Sequence, residues 1–192
     1  MTTPQPANAP NPPVAVYRAT PAIFAMVGGA LGITGFFLPS EAYRVGVAPE
    51  GTPHTVTSSL WDVTSHYLTG ATLPGFTSTG QPTSAAPYLA LLLAMPAALA
   101  LVALVAGGVG VMRGLGPVLA SLIGAAGLMG ALNGGSAVLT PSELVVLGNG
   151  GTAGVSSPTA FGLLVMQIGF FVILVGGIMG IMAVAQARHP GA

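Results

Sequence analysis

The side chains able to do chemistry are few and lie in two polar stretches. His54 and His66 stand twelve residues apart, with Glu50 and Asp62 nearby. Two imidazoles and a carboxylate could hold a zinc ion, but this spacing matches no compact ligand signature. Ser, His and Asp occur together between residues 39 and 86, yet no nucleophile-elbow or triad motif accompanies them. Glu41 and Arg44 stand at i,i+3, the spacing of a local ion pair worth a few tenths of a kcal/mol on a helix. Cysteine is absent, so disulfides, thiolate nucleophiles and Cys-ligated metals are excluded. The sequence therefore nominates no catalytic, metal or cofactor residue and points away from an enzyme.

The elements that would position these residues are strongly apolar. Only 4% of the 192 residues are charged, against roughly 25% in a soluble domain. Hydrophobic residues make up 52% and the mean hydropathy is +0.82. Such a chain cannot clothe a water-facing surface. With four arginines and no lysine, it also lacks a phosphate-reading patch, which excludes a nucleic-acid binder. The class is an integral membrane protein.

Four apolar runs stand out: 21–38, 87–112, 117–139 and 159–185. A bilayer core of ~30 Å needs about 20 helical residues, with a range near 17–25, so each run is long enough to cross. Thr20 and Pro21 suit a helix start, since proline at the first position loses no hydrogen bond. Pro96, inside the second run, predicts a kink. The predicted fold is an all-α membrane bundle of four spans over 20–186, with a Pro-rich disordered tail at 1–19 and a polar tail at 187–192. The outer loops are 39–86 and 140–157. Tyr43–Val47, Val56–Thr64 and Leu144–Leu147 alternate or are rich in β-formers, which predicts a small extracellular sheet. Trp61 would be either the core of that sheet or an anchor for a neighbouring protein.

Arg18, Arg113 and Arg188 flank the runs on one side, whereas Glu41, Glu50, Asp62 and Glu143 all fall on the other with Arg44. The positive-inside rule then puts both termini in the cytoplasm. Tyr17 would anchor the inner interface, and Tyr43 and Tyr88 the outer one. High Ala, Gly and Pro usage without lysine is the composition of a GC-rich bacterial gene, which suggests a multi-pass inner-membrane protein.

Residues 28–41 (GGALGITGFFLPSE) and 130–143 (GALNGGSAVLTPSE) align at an offset of 102, sharing Gly28/Gly130, Gly32/Gly134 and Pro-Ser-Glu. This suggests a duplicated hairpin whose copies relate by an axis along the membrane normal. Helices in lipid associate by close packing of small residues. Gly162, Gly169, Gly176 and Ala183 recur every seven residues, as do Ala120, Gly127 and Gly134. Gly28/Gly32, Gly130/Gly134 and Gly176/Gly180 add four-residue spacings. These predict a tight left-handed bundle with ~+20° crossings. Leu164, Phe171 and Ile178, opposite the stripe, would face lipid or a partner. No run contains Asp, Glu, Lys, Arg or His, which argues against proton relays and ion paths. It also leaves no His for a haem or a chlorophyll-type pigment. Thr34, Ser121, Asn133, Ser136 and Gln167 would form interhelical hydrogen bonds.

The layout resembles the claudin/peripheral-myelin-protein type of four-span protein. Leu60-Trp61 falls where that family carries Gly-Leu-Trp, although the glycine is Ser59 here and the family's paired cysteines are missing. The resemblance implies four spans, inside termini, a long first and a short second outer loop, and self-assembly or adhesion through those loops.

The reading that emerges is a non-catalytic accessory subunit that scaffolds other membrane proteins, with lipids and other integral proteins or copies of itself as partners. Trp61, Glu41 and Glu143 would be its outer contacts. The alternatives are a claudin-like adhesion protein and a small-solute or lipid channel or transporter using Gly-lined gaps, Pro96 and Asn133.

Overall fold

A computed structural model describes residues 14–45, 54–70, 86–139, 145–147, 151–155 and 161–188. The element order is α1 (Val14–Phe37), β1 (Pro39–Val45), β2 (His54–Ser59), α2 (Leu60–Thr69), α3 (Ala86–Arg113), α4 (Pro117–Leu139), β3 (Val145–Leu147), β4 (Gly151–Val155) and α5 (Phe161–Arg188).

Local chemistry sets most boundaries. α1 starts at Val14, seven residues before the expected start, and carries Pro21 inside it. The tail expected over 1–19 therefore ends earlier: 14–19 is helical, and 1–13 lies outside the described residues. The Thr20–Pro21 pair thus lies about two turns inside α1 and is not its cap. At the other end the Leu38 N–H still donates to the Thr34 carbonyl at 3.1 Å. Pro39 then stops the helix, because the residue before a proline is pushed out of the α region. α3 runs unbroken through Pro96. Arg113 closes it, and Gly114 at φ 86° supplies the left-handed stop. Pro117 opens α4 after a three-residue gap, and the Ala120 N–H donates to the Gly116 carbonyl at 3.0 Å.

Among the described residues, three stretches are long and apolar enough to cross a membrane: Ala19–Phe37, Pro87–Arg113 and Phe161–Ala187. The corresponding apolar stretch of α4 among the described side chains, Pro117–Asn133, is shorter. The molecule is thus a mostly helical membrane protein with three candidate spans. α1, α3, α4 and α5 pack in a ring: α1 lies between α3 and α5, and α4 between the same two. The α1–α5 seam is the most extensive and α3–α4 the least among neighbours. Ile123, Met166, Phe170 and Ile173 are fully buried and fill the middle.

The strands form one sheet in the order β2-β1-β4-β3. β1 pairs antiparallel with β2 and, through Tyr43↔Val155, Arg44↔Gly154 and Val45↔Ala153, with β4. A bulge falls between Pro39 and Glu41, where the buried Ser40 hydroxyl donates to the Ser58 carbonyl at 3.2 Å. β4 (GTAGV) has no counterpart among the predicted strands, because two glycines in five residues erase the β-propensity signal. The strand predicted over Val56–Thr64 is corrected: the chain switches from β2 to helix at Leu60. Nor does the sheet follow the internal repeat. Exchange of two halves would swap β1 with β3 and set them side by side, whereas β1 lies beside β4.

Candidate functional site

The candidate site has two parts, a set of glycine seams within the bundle and a platform on one of its ends. The seams come first because they fix the platform's footing. On α5, Gly162 backs onto the α1 end: an added Cβ would lie 2.5 Å from the Leu38 carbonyl oxygen. A Cβ on Gly169 would meet the Gly28 oxygen and Gly32 nitrogen at 2.7 Å, and one on Gly176 the Pro21 oxygen at 2.8 Å. The seven-residue stripe of α5 therefore runs antiparallel along α1. Gly28 returns the contact, 2.5 Å from the Gly169 oxygen, while Gly32 points toward Ala100 of α3 at 2.7 Å. On α4, Gly127 abuts the Leu174 backbone nitrogen at 2.5 Å, whereas Gly130 is a hole for the Phe170 ring. Gly180 accommodates Leu115, at 2.6 Å, and Ala120. Gly134 belongs to α4, but its surroundings lie outside the described residues. Ala183 lines an open cavity of about 400 Å³ at the Arg113–Pro117 turn.

Single stripes did not reveal the doublets. Gly28 meets α5 while Gly29 meets Ala100 and Leu104 of α3. Gly176 meets α1 while Gly177 meets Gly124 of α4. Successive helical residues are about 100° apart, so a glycine pair lets one helix approach two neighbours of a four-membered ring. The Gly-Gly dipeptides are the sequence signal that could have found this. Leu164, Phe171 and Ile178 are exposed on the outward face. Of the polar span residues, the Gln167 Nε2–H donates to the Ala131 carbonyl at 3.0 Å, while its buried Oε1 has no partner among the described residues. Thr34 and Ser121 point outward, Asn133 is half-buried and partnered, and the side chain of Ser136 lies outside the described residues.

The platform is the sheet together with α2. Ser59 caps α2: its Oγ accepts from the Asp62 N–H at 3.1 Å, and Asp62 Oδ2 accepts from the Ser59 N–H at 2.7 Å. This reciprocal box, Ser-x-x-Asp, starts the helix within the β-rich stretch, and its spacing is the sequence signal that could have found α2. Gly70, left-handed at φ 72°, closes the other end with its N–H on the His66 carbonyl at 2.8 Å. Leu60 and Thr64 are buried. Trp61 is not the core of the sheet. It sits on α2, 47% exposed, with its ring 5.6 Å from Phe37 and 6.4 Å from Phe36.

Asp62 is committed to the cap and partly buried, so it is poorly placed as a metal ligand. The side chains of Glu50 and His54, the other proposed ligands, lie outside the described residues, among which no three His, Asp or Glu side chains gather. Glu41 and Arg44 lie in β1 with side chains outside the described set. An i,i+3 pair meets on a helix, but along a strand neighbours alternate faces with period two. Glu143 lies outside the described residues altogether. No family model, curated protein or solved structure matches the chain.

Proposed function

We propose that this chain is a non-catalytic accessory subunit of a bacterial inner membrane that packs with other integral membrane proteins and holds them in an assembly. In this reading α1, α3, α4 and α5 all cross the lipid and both termini are cytoplasmic. The observation that carries it is the β1–β4 pairing. It joins the segment after α1 to the segment before α5 in one sheet on a bundle whose helices approach at backbone distance. The product is a stiff presenting surface attached to helices whose apolar runs, 21–38, 87–112, 117–139 and 159–185, hold no Asp, Glu, Lys, Arg or His. A filled middle of Ile123, Met166, Phe170 and Ile173 favours packing over a central pore. Outward Leu101, Val105, Phe171 and Ile178 are all exposed and available to a neighbour in the plane of the lipid.

A second reading, self-assembly through the outer loops, draws on β2. Among the described residues it is a sheet edge, the kind of backbone that takes an added strand.

The natural absence of cysteine makes one experiment decisive between them. Leu101→Cys, Phe171→Cys and Thr57→Cys chains are cross-linked in native membranes through their single thiol. The accessory reading expects a defined adduct with a different membrane protein from Leu101→Cys or Phe171→Cys. A self-adduct confined to Thr57→Cys supports assembly through β2. No adduct from any of the three, together with a lone monomer in mild detergent, overturns both.

A further inference from the structure

We propose that α2 is an interfacial helix whose outward stripe, Trp61 and Leu68, is seated in the headgroup–acyl boundary of the leaflet in which α1 ends. This rests on the chain crossing a membrane and is independent of what the bundle packs against.

The argument starts from which way α2 faces. At ten residues it is too short to be stable alone, so packing sets its orientation. Leu60 and Thr64 turn inward; Leu60 joins the same apolar cluster as Phe36 and Leu163. Trp61, Ser65 and Leu68 then fall on one line at i, i+4 and i+7, which leaves Leu68 61% exposed and Trp61 47% exposed. Water is a poor environment for this stripe, and its height indicates a better one. The candidate span of α1 runs to Phe37, which is itself 55% exposed. The Phe37 and Trp61 rings touch at 5.6 Å, so the indole lies level with the end of the apolar span. An indole at that depth buries its ring against lipid and keeps its N–H near water and carbonyl groups, which is why tryptophan concentrates at membrane interfaces. The one carboxylate on α2, Asp62, accepts from the Ser59 N–H and hydroxyl at 2.7 Å, which gives a charge at this depth the polar partners it needs. The exposed stripe therefore continues the lipid-facing surface of α1 onto the outer platform.

Trp61 is the only tryptophan, so emission reports this one site. The full chain is reconstituted in phosphatidylcholine nanodiscs at one chain per disc. Emission is read with unmodified lipid, with lipid brominated on the upper acyl carbons, and with iodide in the water. The expected result is emission shifted to the blue of the urea-unfolded chain, mostly lost in upper-brominated lipid and little changed by iodide. In parallel, Leu68→Cys carrying a nitroxide retains Trp61 and should be relaxed more by oxygen, which partitions into lipid, than by a water-soluble nickel chelate. Iodide quenching of Trp61, or preferential relaxation of the Leu68 label by nickel, would overturn the proposal in favour of a water-facing surface. Blue emission reached by neither quencher would overturn it in favour of a protein cover.

Discussion

At the scale of single residues, the bundle depends on glycines whose missing Cβ is replaced by a neighbour's backbone. The two uses of glycine separate cleanly. Gly169 faces the Gly28 carbonyl and the Gly32 nitrogen, neither of which can swing away, while Gly108 has open space around it. Gly169→Ala should therefore overpack the α1–α5 seam and destabilise by about 1–3 kcal/mol. Gly108→Ala should be neutral, or stabilise by up to about 1 kcal/mol through helix propensity. The temperature at which each variant leaves its folded peak in size-exclusion chromatography checks both. Equal midpoints for the two would mean that the seam is not closed as described. The stripe at 162, 169 and 176 was legible because seven-residue spacing returns to one helix face. The role of Gly35, which backs onto Met166 and Gly162 of α5, was not, since a lone glycine carries no information on which neighbour it meets.

At the scale of elements, α2 shows how a few side-chain bonds can decide between helix and strand. Thr, Val and Trp around residue 61 favour extended chain, but the Ser59–Asp62 box satisfies the first turn's free N–H groups and Gly70 ends the helix ten residues later. Ser59→Ala should cost about 1 kcal/mol and fray the first turn of α2. Its readout is the Trp61 emission, which should redshift or broaden as the ring loses its fixed place against Phe37. An unchanged spectrum together with an unchanged melting temperature would show that packing of Leu60, not the cap, holds the helix. The bulge at Ser40 belongs to the same scale. Pro39 ends α1 and leads directly into a strand, so the buried Ser40–Ser58 bond fixes where the sheet stands on the bundle.

At the scale of the whole molecule, the ring arrangement gathers the first turns of α1, the α3–α4 turn and the last turns of α5 at one end. Pro21 lies against Gly176, Ala22 against Gly107, and Leu115 against Gly110 and Gly180. The sheet and α2 occupy the other end. With arginines at the first end, the positive-inside rule expects a thiol from Val118→Cys, beside the α3–α4 turn, to react with an impermeant maleimide only in inside-out vesicles. The thiol from Thr57→Cys, exposed on β2, should react only in right-side-out cells. The reverse pattern would invert the orientation, and labelling of both from one face would break the membrane-crossing arrangement. The amino-acid sequence alone determined that this is a membrane protein, where its long helices fall, and which small residues recur along them. Those properties are local: charge content, run length and helical period are read without knowing what lies across the gap. Only the tertiary structure decided which neighbour each glycine admits, that β1 pairs with β4, and that Trp61 stands on a helix beside Phe37. Each of these joins residues distant along the chain, and a sequence fixes such pairings through the summed packing of the whole bundle, not through any short motif.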